Sequence, residues 1–253
     1  MTASFSIFVT STEIFMIVTT QAIVLSAIKY GDTSLIVKLY TLSDGIKSYM
    51  LKGVLSSKKG KLKKGYFQPL TQLEIVANHK NKGTLESLRE VKTVNFYQSL
   101  QTDVRKSSIA LFLSEMLVIS LQEEEVNQTL YHFISNSFQW LDMNEEIANF
   151  HISFLIELTR HLGFYPDNSH EDYPYFDLAE GEFVTSLYNE VLSEENLVNF
   201  KKFLHRDYDT SAKIKMGKTH RAELLDSMIR YYQLHLSDFK KPRSLEVLQQ
   251  VFG

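Results

Sequence analysis

The feature that most constrains this chain is a change of hydrophobic period near residue 100. From residue 19 to residue 92 the apolar positions follow the two-residue period of half-buried strands. Five segments carry it: Thr19–Ile28, Thr33–Leu42, Ile46–Val54, Gln68–Asn78 and Thr84–Val94. In the second, Leu35, Val37 and Leu39 alternate with Ile36, Lys38 and Tyr40. Gly31-Asp32 separates the first two. Asp44-Gly45 reads as a two-residue hairpin turn with positive φ at both positions. Five short strands in so few residues predict a small barrel, and five in a partly open barrel is the OB-fold count.

Past residue 100 the period becomes that of helices. Lys106–Gln122 is apolar nearly all round, as a central helix of a bundle must be. Further helices are predicted over Val126–Leu141 and Glu145–Leu162, the latter stopped by Gly163 and Pro166. Tyr173–Val184 reads as a short hairpin turning at Ala179–Gly181. Helices over Ser193–Leu204, Arg221–His235 and Ser244–Phe252 follow. The fold class is thus α+β. Residues 1–15 are an extension or an upstream start, 16–95 a five-stranded OB-fold barrel, and 100–253 an α-helical domain with a hairpin insertion at about 166–186.

Chemistry is concentrated in one place. Lys47, Lys52, Lys58, Lys59, Lys61, Lys63 and Lys64 fall in a segment without Asp or Glu, which leaves the rest of a net −3 chain at −10. Lysines on a loop make phosphate contacts and read bases poorly. Tyr49 shares a strand face with Lys47, and Tyr66 and Phe67 close the loop; aromatics beside lysines can stack unpaired bases. The competing reading is a solvated lysine-rich loop with its aromatics in the core. At the end of the third helix, Leu155, Leu158, Arg160 and His161 offer a basic edge beside apolar positions, suited to an acidic-hydrophobic peptide. The alternative there is cations complementing a helix C-terminus.

Other signals argue against catalysis. There is no cysteine, so thiolate chemistry, disulfides and cysteine zinc sites are excluded. The eight histidines show no i, i+4 pair and no ligand-spaced cluster with carboxylates, so no metal and no cofactor is expected. Glu123-Glu124-Glu125 reads as a solvated acidic run. Gly217-Lys218-Thr219 resembles the end of a P-loop, but Ala212 stands where the first glycine belongs. Gly60 and Gly65 are spaced correctly, but Tyr66 replaces the lysine. No stretch of 18 apolar residues is present, so no membrane helix is expected.

The residues also resemble a known family. Tyr30-Gly31-Asp32-Thr33-Ser34-Leu35, Leu39-Tyr40-Thr41, Gly45, Lys52-Gly53, the lysine loop and Gln68-Pro69-Leu70 are similar to the N-terminal half of RecO proteins. Leu158–Pro166, Tyr175-Phe176-Asp177 with Gly181, and Arg221, Leu224-Leu225, Tyr232, His235-Leu236 and Ser244-Leu245 resemble the remainder, in order, over residues 16–253. The resemblance implies a cytoplasmic, non-catalytic recombination mediator. Such a protein binds single- and double-stranded DNA, anneals strands, works with RecR to load RecA, and holds the acidic C-terminal tail of single-strand-binding protein through its helical domain. An OB-fold RNA-binding module and a protein-interaction scaffold are the alternatives.

Two departures stand out. Many relatives flank the hairpin with zinc-binding cysteine pairs. Here Asn168, Ser169 and His170 fill the first stretch and Thr185-Ser186 the second, so packing of Tyr173, Tyr175, Phe176 and Phe183 must hold the hairpin. Leu55 also stands where the family often has arginine, shifting the basic role to Lys58–Lys64.

Overall fold

A computed structural model describes residues 16–56, 62–80, 85–121, 125–187, 190–192 and 194–252. Residues 1–15, assigned above to an extension, lie outside the described residues, as do Lys58, Lys59 and Lys61.

Five antiparallel strands come first: β1 (Met16–Tyr30), β2 (Ser34–Thr41), β3 (Gly45–Leu51), β4 (Gln72–His79) and β5 (Ser87–Asn95). Their order across the sheet is β3-β2-β1-β4-β5. The two edges meet at one parallel bridge, Tyr49 opposite Glu86. There Met50 N–H donates to Glu86 O (3.0 Å) and Glu86 N–H to Ser48 O (2.8 Å). This is a partly open five-stranded OB barrel.

The alternation in β2 sorts as predicted. Leu35, Val37 and Leu39 point into the barrel with Ala22, Val24, Tyr49, Leu51, Phe67, Leu73 and Ile75. The opposite, outer face is covered only in part. Ile23, Leu25, Tyr40, Ile46 and Leu70 are buried under the helices and belong to their core.

The Asp44-Gly45 turn differs from the two-residue form. Thr41 pairs with Gly45, which leaves a three-residue loop, and only Gly45 (φ 63°) takes the left-handed conformation. Thr41 Oγ1 stabilises it, donating to Gly45 O (2.8 Å) and accepting from Asp44 N–H (3.0 Å). This satisfies the strand twist with one positive φ instead of two.

Helices α1 (Val104–Ser120), α2 (Gln128–Met143) and α3 (Phe150–Leu162) follow. Then come the hairpin β6 (Tyr175–Asp177) and β7 (Glu182–Val184), and α4 (Glu194–Lys201), α5 (Tyr208–Ala212), α6 (Lys218–His235) and α7 (Leu245–Phe252). Gly163 (φ 86°) ends α3 in the left-handed conformation. That helix starts later than its apolar stripe suggests. The buried Asn149 amide donates to Ser211 O and Ile214 O (both 2.9 Å) and accepts from Arg221 Nε (3.1 Å), so tertiary bonds fix the chain ahead of the helix. α5 was not read from the sequence; five residues capped by Asp207 are too short to show a period.

The hairpin holds by packing. Phe176 is 0% exposed and lies edge-on to Phe183, with Phe200 at 4.9 Å between ring centroids. Tyr173 stacks on His170 (4.7 Å).

Barrel and helices are joined by buried polar bonds. Gln72 Nε2 donates to Ser135 O (3.0 Å), and Ser135 Oγ donates to Gln72 Oε1 (2.8 Å). The Asp142 carboxylate accepts from the N–H groups of Gln98, Ser99 and Leu100 on the connecting segment. Lys106, 0% exposed, donates to Ser99 Oγ and Asp142 O (2.8 and 2.7 Å). Breaking such a buried network costs more than its hydrogen bonds contribute, because the groups left behind are desolvated.

Candidate nucleic-acid interface

The outer face of β1–β3 is where the barrel is uncovered, and a β-bulge decides what it displays. The β1–β2 register shifts between Val24 and Ser26. Before the shift, Ala22 and Val24 face inward; after it, Ala27 and Lys29 pair with the inward-facing Val37 and Leu35. Ile28 and Tyr30 are thereby turned outward, 64% and 56% exposed. Ile28 pairs with Ile36 and Ile36 with Met50, while Ser26 pairs with Lys38 and Lys38 with Ser48. Residues so paired lie side by side on one face. The result is a strip across three strands with Tyr30 and Ile28 at its open end and Lys38 at its other end.

Lys52, exposed in the turn after β3, and Lys63 and Lys64, exposed beside the barrel, add positive charge. Lys64 opens a single 3-10 turn, Lys64–Phe67, that inserts Phe67 (3% exposed) into the barrel interior. An aromatic with apolar neighbours and flanking lysines can stack a base and hold its phosphates.

The remaining predicted residues are placed differently. Tyr49 is 0% exposed, on the inward face; its hydroxyl meets His79 Nε2 at 2.8 Å, and Asp44 Oδ1 lies 3.5 Å from His79 Nδ1. Burial, with Asp44 and Glu86 adding to it, pushes the Tyr49 hydroxyl far above its ordinary pKa. It is a core residue and no stacking platform. Lys47 shares that inward face and is 8% exposed, so it is not a surface phosphate contact either. Tyr66 is half-buried against the barrel core. The exposed aromatic on this face is Tyr30, which strict alternation along β1 would have put inside with Ala22 and Val24. Only the bulge reverses it.

The four residues predicted at the end of α3 do not form one groove. Leu155 and Leu158 are both 0% exposed and sit in the helical core. Arg160 donates to Glu157 (2.8 Å) and its guanidinium lies 3.6 Å over the Tyr165 ring. His161 stacks on Phe133 at 4.6 Å, and burial lowers its pKa.

A basic cleft does exist elsewhere on the helical body. Arg105, Lys218 and Arg221 line a space of about 390 Å³ together with Glu145 and Glu146, and its apolar side is Ile147, Val251 and Phe252; Arg105 is paired there with Glu145 (3.1 Å) and with Asp103 (2.7 Å). Beneath it, a cavity of about 90 Å³ reaches His151, Leu225 and Leu248. His151 is 1% exposed and its Nδ1 has no hydrogen-bond partner. Burial, and Arg221 nearby, bring its pKa down to about 3, so the ring is neutral.

Among the described residues, no three His, Asp or Glu side chains gather to hold a metal, and no helix is long and apolar enough to cross a membrane.

Comparison with known proteins agrees with this architecture. The family model described as Recombination protein O N terminal matches residues 16–97, and Recombination protein O C terminal matches 101–245. The chain is 49% identical over 239 residues to a DNA repair protein RecO of Christiangramia forsetii, covering 94% of this chain and 100% of that one. It is 48% identical over 238 residues to the protein of that name in Flavobacterium psychrophilum and 36% over 243 residues to that in Bacteroides fragilis, with the same coverage.

Proposed function

Because the chain belongs to the RecO family of DNA repair proteins, we propose that it is a non-catalytic recombination mediator whose barrel holds single-stranded DNA across the outer face of β1–β3. The observation that carries this is the strip of Tyr30, Ile28, Ile36 and Met50 left open on an OB barrel, with Lys38 on the same face and Lys52 exposed in the turn after β3. Bases rest on the aromatic and aliphatic side chains. The lysines neutralise the backbone, which makes binding tolerant of sequence. Lys58, Lys59 and Lys61, in the same loop by sequence, extend the phosphate track. Two strands held and screened together anneal, and duplex DNA is held through the same phosphate contacts.

In this proposal the protein acts with RecR to load RecA on DNA coated by single-strand-binding protein. The acidic-hydrophobic tail of that protein fits the cleft of Arg105, Lys218 and Arg221, with Phe252 and Val251 as its apolar side, better than α3, whose Leu155 and Leu158 are buried.

The test is anisotropy of a labelled single-stranded oligonucleotide over a salt series. Each phosphate contact contributes about −0.7 to the log–log slope on single strands. Changing Lys52, Lys58, Lys59, Lys61, Lys63 and Lys64 to Ala flattens the slope and weakens binding. An unchanged slope refutes the site; preference for structured RNA over single-stranded DNA points to the RNA-binding alternative.

A further inference from the structure

A second cleft, of about 380 Å³, opens where barrel and helices meet, and its lining is set by helix ends. Ser120 and Leu121 bring the C-terminus of α1, His161 and Leu162 that of α3, and His235 and Leu236 that of α6. Each helix leaves its last carbonyls without an intrahelical donor and carries a partial negative charge there. At the ends of α3 and α6 the capping bonds reach back to Thr159 O and Tyr232 O, so the final carbonyls of those two helices lie beyond them. Two such negative ends share one cleft, beside the C-terminus of α1.

Nothing of the cleft's own offsets this. Its lining holds neither lysine nor arginine among the described residues, and α1 has no basic residue in its last turn. Arg160 at the end of α3 is committed to Glu157 and the Tyr165 ring. Burial lowers the His161 pKa and so disfavours its charged form. His235 Nε2 lies 3.0 Å from Leu178 O, away from a free role. Glu125 stands exposed at the rim and adds a full negative charge. A second observation is independent of the helix ends. Ser120 is 8% exposed, lines the cleft, and its Oγ is buried without a hydrogen-bond partner. A buried hydroxyl left unsatisfied costs about 1–3 kcal/mol unless a ligand or water completes it.

We propose that this cleft is a binding site for an ammonium or guanidinium group carried on an aliphatic chain. The volume lies within the range of small-ligand pockets, about 300–1,000 Å³. Leu130 and Leu162 receive the aliphatic stem, the carbonyl ends and Ser120 Oγ accept from the cation, and Glu125 closes the rim. Tyr40 from β2 joins the lining, so the bound cation bridges barrel and helices at a place separate from the β1–β3 strip. The group has two possible sources, a free polyamine or an arginine of a protein partner.

The experiment follows the His161 and His235 ring-proton NMR signals of the full chain during titration with N-acetyl-arginine amide, with spermidine, and with the uncharged isostere N-acetyl-citrulline amide. Saturable shifts with a cation and none with citrulline support the site; whichever cation binds tighter identifies the source. Glu125→Gln, at an exposed position that folding does not need, weakens binding about threefold. Ser120→Ala weakens it about fivefold. Equal shifts with citrulline, no saturation, or affinity untouched by Glu125→Gln overturns the proposal.

Discussion

Strand β1 has two halves with opposite fates. From Ala22 to Leu25 it is buried on both faces, with Ala22 and Val24 in the barrel and Ile23 and Leu25 under the helices. From Ala27 to Tyr30 every residue is exposed. Composition does not distinguish them, since Ile23 and Ile28 are the same residue on the same outer face. The difference is whether α1 and its neighbours cover the strand. An apolar residue stabilises the fold where it is covered and is available to a ligand where it is not.

The widest separation between the halves is in stability. Ile23→Ala removes a side chain that is 1% exposed and is expected to cost about 2–5 kcal/mol; thermal unfolding measures it. Ile28→Ala, 64% exposed, leaves the melting temperature within about a degree or two but weakens binding to single strands. Comparable losses of stability in both would erase the distinction.

The next contrast is between the two tyrosines. Tyr30→Ala lowers single-strand affinity about tenfold, the scale of one base–aromatic stack, with unfolding unchanged. Tyr49→Phe does the reverse. It leaves the buried His79 without its partner, costing about 1–3 kcal/mol, and DNA affinity stays put.

Smaller effects sharpen the helical side. His151 is buried and neutral with its pKa lowered from 6.5 to about 3, while Arg221 and Lys218 line the same cavity. In that interval the unfolded chain binds the proton and the folded chain does not. Stability is therefore full above pH 6.5 and is lost as pH falls toward 3, by up to about 1.4 kcal/mol per pH unit. His151→Phe flattens this decline in acid unfolding curves. Gly181→Ala is expected to cost about 1–3 kcal/mol. Gly181 has φ 74°, and an added Cβ would come within 2.6 Å of Tyr231 Oη.

The sequence made the architecture legible because periodicity reports which faces are buried, and it does so well where strands alternate cleanly, as in β2. It could not report which face of β3 turns inward. Lys47 and Tyr49 look like a surface pair until Glu86, just ahead of β5, bridges to Tyr49. Nor could it show the bulge in β1, a one-residue shift that reverses every later side chain and turns Tyr30 and Ile28 outward. Leu155 and Leu158 fell on the wrong side of the reading for a similar reason. A helical stripe marks apolar positions but not whether another helix already covers them.

The most direct measurement places a reporter on the open half of β1. The Tyr30→Trp variant adds an indole to the strip, with Trp140, the only native tryptophan, far along the chain in α2 as an internal reference. Its emission is titrated with oligothymidine while anisotropy follows binding. Quenching that saturates together with anisotropy is the expected result and places unpaired bases on the β1–β3 face. Tight binding by anisotropy with the emission unchanged would contradict it and move the DNA off that face.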